Sequence, residues 1–118
     1  MLWEVALKYG WRVRPVTLTN QSPFASQIAA VADTGLLIAR HGPLLANAVF
    51  LTPGAIVYEL LPFNWEWRHI SQLYRNMTQS GEQVHHFAWR PSDSKWAQYV
   101  SDDDSRYRTW TADECSSR

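Results

Sequence analysis

The sequence predicts an α/β fold: a Rossmann-like parallel sheet of about four strands with helices on both faces. Short apolar runs alternate along the chain with segments of helical periodicity, which is the pattern of a parallel sheet with crossover helices. The central apolar run is unbroken, as in strands that are buried on both faces. Glycine and proline stand between these runs and the helical segments, where the chain must turn.

Length and composition limit the choices further. The 118 residues fit one small domain, which we predict over residues 1–90, followed by an irregular tail over residues 91–118. The formal net charge is +0, so nothing in the electrostatics favours nucleic acid or an anionic membrane as a partner. The single cysteine, Cys115, excludes an internal disulfide. No targeting signal and no membrane segment is predicted, because no apolar run nears about 18 residues.

The elements before the central stretch follow in order. Residues 2–9 have an apolar side typical of a helix, and Gly10 is placed to end it. Residues 11–18 alternate between apolar and polar, but Pro15 lacks the N–H that a sheet ladder requires, which predicts an imperfect or edge strand. Residues 24–32 carry an apolar stripe at helical spacing and form the second predicted helix.

The central stretch has the pattern strand, turn, short helix, break and strand. Residues 36–39 are the first of these strands. Gly42 allows a sharp turn and a close backbone approach, and Pro43 suits the first position of a helix. Residues 44–51 are predicted to form that helix, and a Pro-Gly pair separates it from the strand at residues 55–60.

The last two elements complete the alternation. Residues 65–80 repeat apolar side chains at helical spacing and predict the third crossover helix. Residues 84–89 are predicted to form the final strand. His85 and His86 look like a metal pair, but neighbouring side chains of a strand project to opposite faces and cannot chelate one ion together. No metal site is therefore predicted.

The turn at His41 and Gly42 is the candidate site. A helix that opens after a parallel strand presents backbone N–H groups and a positive dipole end at the carboxyl edge of the sheet, where phosphates bind well. His41 either donates a hydrogen bond to a diphosphate or is hydrogen-bonded to the backbone and holds the turn. Glu59, near the end of the next strand, either accepts both hydroxyls of a ribose or is an ordinary surface carboxylate.

Neighbouring residues extend this candidate site. Asn47 either fixes the preceding loop or contacts the ligand, and Gln27 either braces that loop or is an exposed helix residue. The backbone N–H groups of Leu44 and Leu45 are candidate phosphate donors, and Arg40 is a candidate counter-charge. The full set of candidate donor-binding residues is Arg40, His41, Gly42, Leu44, Leu45, Asn47 and Glu59.

An ordered series of residues resembles glycosyltransferase family 61 over about residues 1–90. The series is Pro23-Phe24, Gln27, Ala32-Asp33, His41-Gly42, Leu45, Asn47, Phe50-Leu51, Pro53-Gly54, Val57 and Glu59-Leu60, with Leu73-Tyr74 and 85–89 after it. The chain makes two departures from the family pattern: Pro43 and Leu44 stand where the family has small residues, and Ala46 stands where it has threonine. Pro43 removes one backbone N–H that could bind phosphate.

The resemblance implies the carboxyl-terminal, donor-binding half of a two-domain GT-B-type glycosyltransferase in the secretory pathway (endoplasmic reticulum or Golgi). Such an enzyme uses a UDP-sugar, with N-acetylglucosamine or a pentose as the sugar, and needs no metal cofactor. Its acceptor is a hydroxyl of a glycoprotein or polysaccharide, and an amino-terminal domain is missing here. No catalytic residue is assigned. The alternatives are a non-catalytic nucleotide-binding or interaction module derived from such a domain, and a flavodoxin-like nucleotide-binding domain.

Overall fold

The structure, a computed structural model, describes residues 2–63, 69–80, 83–93 and 95. Three α-helices, three β-strands and two 3₁₀ segments lie in these ranges. In chain order they are α1 (Leu2–Lys8), α2 (Phe24–Val31), β1 (Leu36–Arg40), a 3₁₀ helix (Pro43–Phe50), β2 (Ile56–Leu60), a 3₁₀ turn (Ile70–Gln72), α3 (Leu73–Gln79) and β3 (His85–Trp89). The predicted α/β class is therefore confirmed.

The three strands form one parallel sheet in the order β1-β2-β3. Ile38, Tyr58 and Phe87 pair across it in one row, and β2 is the central strand. The fourth predicted strand is wrong, because residues 11–18 form no regular element. Pro15 cannot donate to a ladder, and the neighbouring Arg14 guanidinium instead donates to the carbonyl of Ala30 at 2.8 Å.

The core lies on one face of the sheet. Val57 at the centre of β2 is 0% exposed and packs with buried residues from α2, the 3₁₀ helix and α3. The prediction of helices on both faces does not hold for the described residues, where the second face carries four exposed large apolar side chains: Ile38, Tyr58, Phe87 and Trp89. Apolar residues on both faces of the sheet indicate that each face can pack against another element. Strand periodicity does not specify which element that is.

The short helix after β1 is a 3₁₀ helix over Pro43–Phe50 instead of the predicted α-helix. Residues three apart are eclipsed in this geometry, which places Leu45 and Ala48 together in the core at 2% and 1% exposure. The predicted Pro-Gly break follows it, and Gly54 adopts a left-handed φ of 86° that favours glycine. The chain then enters β2.

The third helix begins later than predicted. His69 has a left-handed φ of 62°, a conformation that an α-helix cannot contain. A 3₁₀ turn follows, and α3 starts at Leu73. The predicted start at Trp65 lies outside the described residues.

Most of the predicted tail, residues 91–118, also lies outside the described residues, which include only 91–93 and 95 of it. Among the helices that the structure describes, no segment combines the length and apolarity needed to cross a bilayer.

Candidate functional site

Glu59 is the centre of the candidate site. It is the penultimate residue of β2, and its side chain is 0% exposed. One carboxylate oxygen, Oε1, is hydrogen-bonded to Nδ1 of His41, which follows β1. The other oxygen, Oε2, lies 2.7 Å from Nε2 of His86 on β3. Glu59 therefore links His41, at the carboxyl end of β1, to His86 in the interior of β3.

The strand register explains why these three side chains meet. Side chains alternate along a strand, and Glu59 pairs with Ala39 on one side and Ala88 on the other. These small residues leave room for Glu59 to reach diagonally to His41 and His86. Both imidazoles are nearly buried, with side-chain exposures of 9% and 3%. A buried carboxylate is tolerated only when its oxygens have partners, and here both do.

Tyr74 connects α3 to the turn. Its hydroxyl donates to the carbonyl oxygen of Gly42 at 2.5 Å. Its ring centroid lies 5.0 Å from that of His41. Burial of the phenol, and then the negative charge of Glu59, raise the pKa of Tyr74 above its ordinary value of 10.0. The helix therefore holds both the backbone of the turn and the histidine ring.

We expect the free energy of unfolding to fall above about pH 10 because of Tyr74. Its pKa is raised in the folded state, so the unfolded chain loses the phenolic proton first as the pH rises. Below pH 10 this group contributes no slope, because the phenol is protonated in both states. Urea titrations at neutral and alkaline pH measure the effect.

Tyr74→Phe is the matched variant for this measurement. It should cost about 1 kcal/mol at neutral pH through the lost hydrogen bond, and it should show a shallower alkaline decline. The exposed Tyr58 on the other face of the sheet provides the control, because Tyr58→Phe removes a hydroxyl away from the turn. An alkaline decline of equal slope in the parent chain and in Tyr74→Phe would contradict the assignment.

Asn47 and Gln27 stabilise the chain after the same turn through side-chain hydrogen bonds. Asn47 is 6% exposed, and its amide nitrogen donates to the carbonyl of Leu44 at 3.0 Å and to Oε1 of Gln27 at 2.9 Å. The Gln27 amide nitrogen in turn donates to the carbonyl of Ser22 at 2.8 Å. These bonds tie the 3₁₀ helix to α2 and to the loop before it.

The structure brings some of the predicted residues together and separates others. His41, Gly42 and Glu59 meet at the carboxyl edge, with Asn47 supporting the turn. Arg40 lies on the opposite face of the sheet, because it alternates with Ala39, the register partner of Glu59. The Leu45 N–H donates to the Gly42 carbonyl at 3.0 Å, so its hydrogen bond is made within the turn.

The environment of Gly42 differs from the expectation. Its φ of 166° is extended backbone that any residue adopts, so the turn itself does not require glycine. A Cβ added at Gly42 would meet nothing within 4 Å. The carbonyl of Gly42 accepts from Tyr74 and Leu45, whereas the space at its Cβ position is open.

The role predicted for Glu59 with a ribose stays a prediction. Both of its oxygens are engaged by histidines, and the side chain has no exposed surface. A ribose hydroxyl can reach Glu59 only if one histidine moves aside. In the structure as it stands, Glu59 supports His41.

Two members of the site were not predicted from the sequence: His86 and Tyr74. A signal for His86 existed, since strand alternation places it on the same face as Val84 and Ala88, the face that packs on the core. For Tyr74, its place in the apolar stripe of a helix indicated burial but not a polar contact with the turn.

In the part of the chain that the structure describes, no group of three or more His, Cys, Asp or Glu side chains is arranged to hold a metal ion.

Comparisons with curated proteins confirm the resemblance to glycosyltransferase family 61, and the chain is a relative of glycosyltransferases. The relatives carry the name protein O-linked-mannose beta-1,4-N-acetylglucosaminyltransferase 2. The protein from Tetraodon nigroviridis is 30% identical over 95 residues, covering 80% of this chain, and that from Takifugu rubripes is 28% identical over the same length. The Mus musculus protein is 30% identical over 90 residues, covering 76% of this chain.

The alignments cover 16% of the length of the two fish proteins and 15% of the mouse protein, so the chain spans about a sixth of its curated relatives. No protein-family model matches the chain.

Proposed function

We propose that this chain is the donor-binding part of a glycosyltransferase and that it binds the diphosphate of a UDP-sugar at the His41–Gly42 turn. One observation carries the proposal: a nearly buried histidine, held by a buried carboxylate, stands beside a glycine whose Cβ position is open. Transfer from a nucleotide sugar requires stabilisation of the departing diphosphate. An imidazole and backbone groups can supply it without a metal ion.

The names of the relatives support a proposal for the sugar and the acceptor. We propose N-acetylglucosamine as the transferred sugar and a hydroxyl of a protein-linked glycan as the acceptor, in the secretory pathway. Inverting transfer also needs a base for the acceptor hydroxyl. We assign that base and the acceptor site to a second domain of a GT-B-type enzyme, because the candidate site here holds the donor side of the reaction.

Calorimetric titration of the purified chain with UDP tests the proposal. We expect saturable binding that weakens on His41→Ala by about tenfold or more, the effect of losing a charge-assisted hydrogen bond. Gly42→Ala should also weaken binding, because its methyl group enters the open space, while the free energy of unfolding changes little.

His85→Ala provides the matched control, since this exposed histidine lies on the other face of β3 and should leave UDP affinity unchanged. Absence of binding at millimolar UDP would contradict the proposed function. Equal losses of affinity in His85→Ala and His41→Ala would place the ligand elsewhere.

The second candidate function is a non-catalytic interaction module derived from a donor domain. The exposed apolar face of the sheet favours it, because exposed clusters of large apolar side chains mark interaction sites. Pro43 favours it as well, since it removes a phosphate donor from the turn. No binding of UDP, together with a folded chain, would support this alternative.

A further inference from the structure

The second face of the sheet is apolar, and no described element packs on it. Ile38, Tyr58 and Phe87 pair across the three strands in one row. Trp89 lies on the same side, two residues further along β3, and the exposures of these four side chains run from 36% to 55%. The helices α2 and α3 and the 3₁₀ helix all pack on the opposite face. Because parallel sheets are buried on both faces, a cover for these side chains is expected.

The chain after β3 begins beside this face. β3 ends at Trp89, whose carbonyl accepts from the N–H of Leu61 at 2.8 Å. Further along, the Asp93 carboxylate accepts from the backbone N–H of Lys95 at 2.8 Å. An acidic side chain that accepts from the N–H two residues later is the arrangement of a helix N-cap. The last described residues therefore carry a start signal for a helix, within six residues of Trp89.

The sequence after this start signal has an apolar side of its own. Trp96, Tyr99 and Val100 are spaced by three and four residues, which on a helix places them on one side. Gln98 would lie on the other side. A five-residue strand is about 17 Å long, which a helix spans in about 11 residues. Residues 96–118 lie outside the described residues and provide more than that length.

We propose that residues 94–100 turn back from the end of β3 and pack their apolar side on the second face, beginning at Phe87 and Trp89. The opposite face is taken, since α3 already packs on β3 there. Burial is favourable for both partners, because the segment and the face each present large apolar side chains. A face covered from within the chain does not serve as a docking site for another protein, so the proposal removes one support of the interaction-module alternative. It does not depend on UDP binding.

Thiol reactivity at Phe87→Cys tests the proposal, in a chain from which Cys115→Ser has removed the native thiol. Phe87 and Val49 are 55% and 49% exposed, so uncovered thiols at the two positions should react with iodoacetamide at similar rates. We expect Phe87→Cys to react about tenfold or more slowly than Val49→Cys, because reaction then requires local opening of the segment. Trp96→Ser should abolish this difference. Trp110→Ser, the same substitution further along the chain, is the matched control and should preserve it.

Two results overturn the proposal. The first is equal rates for Phe87→Cys and Val49→Cys in the chain that retains Trp96, which shows that the face is uncovered. The second is a slow rate at Phe87→Cys that Trp96→Ser leaves unchanged. If that slow rate rises on dilution, a second copy of the chain covers the face instead. Ile38→Cys, on the other edge strand of the same face, gives the same comparison if Phe87→Cys fails to fold.

Discussion

Glu59→Ala should lower the free energy of unfolding by about 2–6 kcal/mol, because two buried N–H donors lose their acceptor at about 1–3 kcal/mol each. The carboxylate is 0% exposed and accepts from two nearly buried imidazoles. Without it, Nδ1 of His41 and Nε2 of His86 lose their acceptors inside the core. Urea titration followed by circular dichroism measures the loss. Glu59→Gln should cost less, because its amide still pairs with both rings.

Asp33→Ala is the control for a carboxylate that makes an exposed ion pair. The Asp33 side chain is 68% exposed and lies 3.0 Å from the Arg14 guanidinium. Its removal should cost less than about 1 kcal/mol, as for other surface pairs. If Glu59→Ala and Asp33→Ala destabilise the chain equally, the cluster of Glu59 with two histidines does not exist in solution.

Leu45→Ala should lower the free energy of unfolding by about 2–5 kcal/mol through loss of apolar contacts and the cavity left behind. Leu45 is 2% exposed and belongs to the core cluster beneath the sheet. Its N–H also donates to the carbonyl of Gly42, so the backbone of Leu45 is hydrogen-bonded directly to the turn. We therefore expect UDP affinity to fall as well, through displacement of the turn.

Val49→Ala on the same 3₁₀ helix is the matched control. Val49 is 49% exposed, so its truncation removes little buried surface and should change stability by about 0.5 kcal/mol or less. Thermal and urea unfolding of the two variants give the comparison. A loss in Leu45→Ala no larger than in Val49→Ala would show that the 3₁₀ helix does not pack as described.

The variants of Glu59 and of Leu45 test two different supports of the candidate site. Glu59 holds the histidine ring from beneath, and Leu45 anchors the backbone that carries Gly42. A chain that keeps its fold in Glu59→Gln but loses UDP binding would separate the electrostatic support from the packing support. The distinction matters because the proposed diphosphate contact depends on both.

Local sequence signals determined the α/β class, the three strands at the centre of the fold and the position of the turn. Apolar runs, a Pro-Gly break and helical spacing are short-range features, and each depends on residues within one or two turns of chain. The resemblance to family 61 glycosyltransferases likewise rests on the order of residues along the chain. Both could therefore be predicted from the sequence.

Tertiary packing decided the rest. Glu59 and His86 are 27 residues apart, and only the parallel register of β2 and β3 brings their side chains together. The hydroxyl of Tyr74 likewise donates to the carbonyl of Gly42, a residue 32 positions away in the sequence. Periodicity specifies which face a side chain occupies, whereas its partner depends on how elements pack. For that reason the sequence left Glu59 either as a ribose contact or as a surface carboxylate, and the structure shows that it is buried and hydrogen-bonded to His41. Its contact with a ribose stays a prediction.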